Sequence, residues 1–246
     1  MIRLITLLLI CIGLCSHAQT SYRYGSQLNL KAPASGGGVS GPPGINTSVT
    51  NAATSTTSMS TNLTVSGANT ALLMVETFGS VTLNTPTWNG SSTGIILLTN
   101  CFRSGTGHIA AWMLMNPAAG TFTVQYTWGS ASSSATTYTA CLTNCSGFEQ
   151  GNTNFSANVG TTAFSTTATS QTKDLMFLIG SLGTDTSIVT PGAGQTLVSH
   201  INSVTGGHSC EISTQTGTAS TDSGSFAWSA GSGNPAGEFY VGAIGF

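Results

Sequence analysis

Charged side chains are scarce in this chain of 246 residues: only 5% of them are Asp, Glu, Lys or Arg, and the formal net charge is −2. The few basic residues form no stripe, so we expect no nucleic-acid partner. The acidic residues form no Asp-x-Asp-x-Asp run, which argues against a calcium loop, and we predict no metal site. Apolar residues still make up 39% of the chain, enough to bury a core. The surface must then consist largely of hydroxyl and amide groups.

Long helical patterns are also missing. Apolar residues alternate with polar ones at a period near two, and turn residues interrupt them about every 8 to 12 positions, which is typical of an all-β protein. We predict strands at residues 59–66, 71–78, 81–88, 94–99, 109–115, 122–128, 137–142, 175–181, 196–204, 209–215, 226–229 and 238–246. Residues 72–75 and 175–179 are apolar on both faces, so they should be central strands, ending in Glu76 and Asp174 as solvated charges.

The first 18 residues resemble a signal peptide. Arg3 precedes an apolar run at residues 4–14 that is too short for a transmembrane helix. Small residues at Ser16 and Ala18 predict cleavage after Ala18. Cys15 follows the bulky Leu14, whereas a lipid-anchored protein has a small residue there. We therefore expect a secreted, extracellular or cell-surface protein without a membrane span.

Residues 19–57 are rich in Gly, Pro and Ser and are predicted to form a flexible arm before a single antiparallel β-sandwich at residues 58–246. Near the start of the arm, apolar and polar residues alternate at Tyr22, Tyr24, Leu28 and Leu30. This segment would suit a strand donated to the sheet of a neighbouring copy, which would build fibres by self-association. The alternative is an untethered tail, as is common for chain termini.

Four cysteines remain after cleavage, and we list them as disulfide candidates: Cys101, Cys141, Cys145 and Cys210. In an oxidising compartment they would form up to two disulfides, whose pairing the sequence leaves open. A zinc site at Cys141 and Cys145 would need His208 and Cys210 as further ligands. Export favours the disulfides.

Candidate catalytic groups are few. Residues 90–94 match the Gly-x-Ser-x-Gly pattern of a nucleophile elbow, but an elbow needs a helix after the serine, and here a hairpin turn leads into a strand. Glu149 and Glu211 are the best pair for glycoside hydrolysis, although no spacing places them together. The histidines His108, His200 and His208 are interpreted as structural. We predict no catalytic residue, no cofactor and no enzymatic activity.

The four tryptophans, Trp88, Trp112, Trp128 and Trp228, all fall on predicted strands. Trp112 lies in an apolar run and is predicted to be in the core. Trp88 and Trp128 lie beside turns, so with Asn89 they are the candidate ligand-binding residues, because exposed flat rings stack on sugars and amides bond to them. Core packing is the competing interpretation, since large rings are usually buried.

A family resemblance rests on four segments in order: residues 66–70, residues 87–90, Trp112 with residues 116–120, and residues 145–150. Together they resemble uncharacterised jelly-roll-like β-sandwich domains of secreted bacterial, viral-particle and metagenomic surface proteins. The resemblance implies an architecture and an extracellular setting but no activity. We therefore expect a secreted non-catalytic surface protein with an adhesive, matrix-structural or glycan-binding role. The alternatives are a self-assembling fibre subunit and, less favoured, a carbohydrate-active hydrolase.

Overall fold

The computed structural model describes residues 41–78, 82–103, 107–132, 134–154, 163–182, 189–202, 209–218, 221–228 and 235–245. All regular secondary structure in these residues is β, which confirms the predicted class. The strands are β1 (Gly44–Ala53), β2 (Thr56–Val65), β3 (Ala71–Phe78), β4 (Thr87–Trp88), β5 (Ile95–Arg103), β6 (Gly107–Met115), β7 (Gly120–Ser132), β8 (Ala135–Thr143), β9 (Gly147–Asn154), β10 (Ala163–Thr169), β11 (Leu175–Leu182), β12 (Val189–Pro191), β13 (Thr196–Asn202), β14 (Ser209–Thr216), β15 (Thr221–Trp228) and β16 (Pro235–Ile244). None of the described segments is a helix that could cross a membrane.

The strands form four antiparallel sheets. The first inner sheet has the order β1-β8-β3-β6-β5 and the first outer sheet the order β2-β7-β4. The second inner sheet has the order β13-β14-β11-β16-β9 and the second outer sheet the order β10-β15-β12. The two apolar runs lie on β3 and β11, each at the centre of a five-stranded sheet, as predicted.

The second half of the chain repeats the topology of the first half. Read from its other edge, the second inner sheet has the order β9-β16-β11-β14-β13. Subtracting eight from each strand number gives β1-β8-β3-β6-β5, the order of the first inner sheet. The same subtraction turns the second outer sheet, β10-β15-β12, into the first, β2-β7-β4. The β5–β6 ladder has a bulge between Leu97 and Thr99, and the β13–β14 ladder has one at the equivalent place, between Leu197 and Ser199. Among the side chains that the structure describes, two large apolar ones are exposed, Leu97 (41%) and Leu197 (37%), and they occupy equivalent positions. The chain thus contains two jelly-roll-like units, residues 44–143 and residues 147–244.

The two inner sheets pack face to face around one shared core. This core draws on equivalent positions of both units, such as Leu73 of β3 and Phe177 of β11. The contacts between the inner sheets are also symmetric, since each contact has a counterpart in which the two units exchange roles. Strand β1 contacts β13, and the equivalent strands β9 and β5 contact each other. Likewise β8 contacts β14, and the equivalent strands β16 and β6 contact each other. Such pairing is the pattern of a two-fold symmetric interface, formed here within one chain.

Each outer sheet covers the other face of its own inner sheet. In the first unit Leu72 and Met74 of β3 pack with Val124 and Tyr126 of β7. In the second unit Met176 and Leu178 pack with residues of β10, β12 and β15. The molecule is therefore a stack of four sheets in the order outer, inner, inner, outer, which gives the predicted sandwich four layers instead of two.

Several boundaries differ from the prediction. Residues 44–57, which the sequence predicts as part of the arm, form β1, which pairs with β8, and the start of β2. Because β1 is an edge strand that is only partly buried, it has no apolar alternation to reveal it. The prediction lacks strands β9, β10 and β12, and of the described residues 82–88 only Thr87–Trp88 form a strand. The signal peptide and the remaining arm, with Tyr22, Tyr24, Leu28 and Leu30, lie outside the described residues.

Candidate functional site

Glu76, at the end of β3, is completely buried between the sheets of the first unit. Trp112 of β6 donates its indole N–H to Oε1 at 2.9 Å, and Trp128 of β7 donates to Oε2 at 3.0 Å. Two indole donors from two sheets thus meet one carboxyl group. The prediction that Glu76 is a solvated charge is wrong, because the side chain is completely buried; its partner across the β3–β6 ladder is the small Ala110.

Burial raises the pKa of Glu76 to about 8, although the hydrogen bonds from Trp112 and Trp128 act to lower it. A carboxyl group that is neutral at physiological pH can act as a general acid where it reaches a substrate. Glu76 reaches none, since it has no exposed surface. Its role is to fasten the first outer sheet to the first inner sheet.

The tryptophan platform predicted at Trp88, Asn89 and Trp128 does not exist. Trp88 is 7% exposed and Trp128 is 4% exposed, and both belong to the core between the sheets of the first unit. The ring of Trp88 meets that of Phe122 edge-on, with centroids 5.2 Å apart. Asn89 alone is exposed, and it occupies the turn with φ +51°. Burial of Trp112 was predicted correctly.

The Gly-x-Ser-x-Gly match at residues 90–94 forms a turn, as predicted. Trp88 and Ser91 exchange backbone hydrogen bonds of 2.8 and 3.0 Å across Asn89 and Gly90, both with positive φ. Strand β5 begins at Ile95, directly after the motif. Without a helix to present it, Ser92 is an exposed loop residue.

The proposed glycosidase pair is not brought together. Glu149 lies on β9 and Glu211 on β14, with β16 and β11 between them, which places their backbones about 14 Å apart across the sheet. Glu149 lies level with Met176 of β11, and Glu211 lies level with Gly180. These two positions are four residues apart, which adds a separation of about 14 Å along the strand direction. Paired catalytic carboxyl groups lie within about 10 Å of each other.

Glu211 instead faces His200 of the neighbouring strand β13. Nδ1 of His200 lies 3.5 Å from Oε1 of Glu211, and the two side chains are 22% and 1% exposed. Burial raises the pKa of Glu211, and the contact with His200 opposes that shift. In the first unit the equivalent positions are Asn100 and Ala110, so this pair belongs to one unit only. No three His, Cys, Asp or Glu side chains of the described residues group as metal ligands.

Two further acids are buried in the second unit. Asp222 accepts hydrogen bonds from the Ser170 hydroxyl group and from the Thr218 hydroxyl group, the latter at 2.5 Å. Although burial opposes ionisation, these bonds hold the pKa of Asp222 below its usual range. Asp174 accepts a bond from the backbone N–H of Gln171 at 2.6 Å, while burial raises its pKa. It is 2% exposed, so the prediction of a solvated Asp174 is wrong.

The disulfide prediction is wrong for the three cysteines whose side chains are described: Cys141, Cys145 and Cys210 are all free and buried. Cys141 belongs to the core between the inner and outer sheets of the first unit, whereas Cys145 and Cys210 belong to the shared core between the two inner sheets. The fourth, Cys101, lies on β5, and two strands, β3 and β6, separate it from β8 and Cys141. The backbone distance of about 14 Å is twice the reach of a disulfide. A zinc site with His208 falls partly outside the described residues.

The solvent-facing side of the first outer sheet has one chemistry throughout. We define the first outer face by its exposed side chains, all of which carry hydroxyl or amide groups: Ser58, Ser60, Asn62 and Thr64 of β2, and Thr121, Thr123 and Gln125 of β7. Cross-strand hydrogen bonds order them: the hydroxyl groups of Thr64 and Thr121 lie 2.7 Å apart, and Thr123 donates to the side-chain oxygen of Asn62 at 2.8 Å. No charge interrupts this face.

The second outer sheet presents a similar surface. We define the second outer face by Ala163, Ser165 and Thr167 of β10, Thr190 of β12, and Thr221, Ser223, Ser225 and Ala227 of β15. The one charged residue of these strands, Asp222, points inward and is 5% exposed. The ladder pairs Asn62–Thr123 and Thr64–Thr121 of the first face correspond to Ser165–Ser225 and Thr167–Ser223 of the second.

The two units therefore share their neutral outer faces, and they do not share their buried acids. In the second unit, Gly180 and Ser213 replace Glu76 and Trp112. The outer faces are extended solvent-facing surfaces of one chemistry that both units keep, which makes them the candidate functional site. Neither a family model, nor a curated protein, nor a solved structure matches this chain.

Proposed function

We propose that this protein is a secreted, non-catalytic surface protein that adheres to neutral glycans through its outer faces. The observation that carries the proposal is the uninterrupted neutral face of hydroxyl and amide groups on β2 and β7. Such groups both donate and accept hydrogen bonds, as the hydroxyl groups of a glycan do. Export is supported by the signal-like residues 1–18.

The arrangement of the face suits an extended ligand. Side chains on one face of a strand repeat about every 7 Å, and neighbouring strands lie about 4.8 Å apart, so the face is a regular grid. A grid of single weak hydrogen bonds gives useful affinity only when many form at once. A polymer or a solid polysaccharide surface provides that repetition, and a small soluble sugar does not.

The four acids whose side chains the structure describes support a non-catalytic role. Glu76, Asp174, Glu211 and Asp222 are each 5% exposed or less, and each is engaged inside the protein. Without a charged group on the outer faces, adhesion there needs no ion pair. It should therefore be insensitive to salt, which screens charge interactions but leaves neutral hydrogen bonds intact.

Retention of the mature chain on insoluble polysaccharide tests the proposal. We expect retention on neutral particles such as cellulose or chitin, unchanged between low and high salt. A variant with four lysines on the outer faces should lose retention: Asn62→Lys, Thr121→Lys, Ser165→Lys and Ser223→Lys. The matched control places four lysines in exposed loops: Ser92→Lys, Thr93→Lys, Ala118→Lys and Thr172→Lys. Absence of retention, or retention that high salt abolishes, would contradict the proposal.

A further inference from the structure

We infer that the molecule is bivalent: its two outer faces are equivalent binding surfaces on opposite sides, and it bridges two neutral glycan surfaces. The inference rests on the proposed function and adds what the second face does. It follows from the repeated topology and from the order of the four sheets.

The two faces are equivalent residue by residue. Asn62 and Thr121 of the first face occupy the same ladder positions as Ser165 and Ser223 of the second. Thr87 of β4 likewise corresponds to Thr190 of β12, because Trp88 and Pro191 both pair with the equivalent residues of β7 and β15. At each of these equivalent positions both units carry a neutral side chain, so both faces suit the same class of ligand.

The order of the sheets points the faces away from each other. The shared core lies between the inner sheets, and each outer sheet covers the far side of its own inner sheet. With about 10 Å between packed sheets, the backbones of the two outer sheets lie about 30 Å apart. One flat surface therefore contacts one face at a time and leaves the other free for a second surface.

This geometry separates retention from bridging. Loss of one face should halve the number of sites, lowering the apparent affinity for a single particle by about twofold. It should abolish cross-linking completely, because bridging needs both faces at once. A protein with a single binding face would instead lose all retention with that face.

The experiment uses the mature chain, cellulose particles and three variants with equivalent substitutions. The first carries Asn62→Lys and Thr121→Lys, the second carries Ser165→Lys and Ser223→Lys, and the third carries all four. Retention is measured by sedimentation, bridging by particle agglutination, and oligomeric state by light scattering. Circular dichroism verifies that each variant is folded.

We expect the wild type to be retained and to agglutinate particles, the two single-face variants to be retained without agglutination, and the combined variant to do neither. If one single-face variant loses all retention and the other loses none, bivalence is overturned while adhesion stands. Agglutination by single-face variants, or a dimer of the wild type that the lysines dissolve, would also overturn it, since the bridge would then be a second copy of the chain. If the wild type is not retained at all, the proposed function fails and bivalence fails with it.

Discussion

Replacement of Glu76 by Gln should change how stability depends on pH. The pKa of Glu76 is about 8 in the folded state, against an ordinary value of 4.5. Between these values the folded protein holds a proton that the unfolded chain has released, so unfolding releases a proton and rising pH favours unfolding. Relative to E76Q, the wild type should lose up to about 1.4 kcal/mol of unfolding free energy per pH unit, which amounts to about 3 to 4 kcal/mol from pH 5 to pH 8.

The substitution also has an effect that pH does not change. The carboxyl group offers one oxygen to each of two indole donors, at 2.9 and 3.0 Å. The amide of Gln offers one oxygen and turns its NH2 group toward the other indole, which leaves a buried donor without an acceptor. At pH 5 we expect E76Q to be less stable than the wild type by about 1 to 3 kcal/mol.

Guanidinium unfolding followed by tryptophan fluorescence, between pH 5 and pH 8, measures both effects. The control is Glu211→Gln, which leaves Glu76 in place and should keep the part of the slope that Glu76 causes. A difference between wild type and E76Q that stays constant over this range would refute the reasoning, since Glu76 would then ionise as an exposed residue does.

Three further predictions concern stability and the thiols. Gly67→Ala should destabilise the fold by about 1 to 3 kcal/mol in chemical denaturation, because φ is +102° and the new Cβ would lie 2.7 Å from Cγ2 of Thr143. Gly90→Ala, with φ +78° and open space around it, should cost less, and an equal cost would contradict this explanation. The three buried free cysteines should react with a thiol reagent only after unfolding, and a disulfide among them found by mass spectrometry would contradict this prediction. Calorimetry should show one unfolding transition, because the units share a core, whereas two separated transitions would mean independent units.

The fold class and the central strands could be predicted from the sequence, because burial on both faces leaves an unbroken apolar run. Residues 175–179 therefore identified β11 almost to the residue. Edge strands such as β1 carry polar residues on both faces, so Gly44–Ala53 looked like linker. The duplication is hard to recognise in the sequence because many equivalent positions keep burial without keeping identity, as Leu73 and Phe177 do.

The site residues were harder to predict for a different reason. Period-two alternation shows which residues share a face, but not whether a further sheet covers that face. The first inner sheet covers the face of β7 that carries Trp128, and the carboxyl group of Glu76 accepts hydrogen bonds from two strands distant in sequence. The hydroxyl-rich surface was expected from composition, since so few charges were present to cover the core. Its division into two equivalent faces depends on strand pairing, which composition does not encode.

The most direct test of the central claim is the retention of the mature chain on neutral polysaccharide particles at high salt. The neutral outer faces predict that the wild type and the variant with four loop lysines are retained equally, and that the variant with four outer-face lysines is not. Equal retention of all three proteins would contradict the claim, because adhesion would then arise from another part of the molecule.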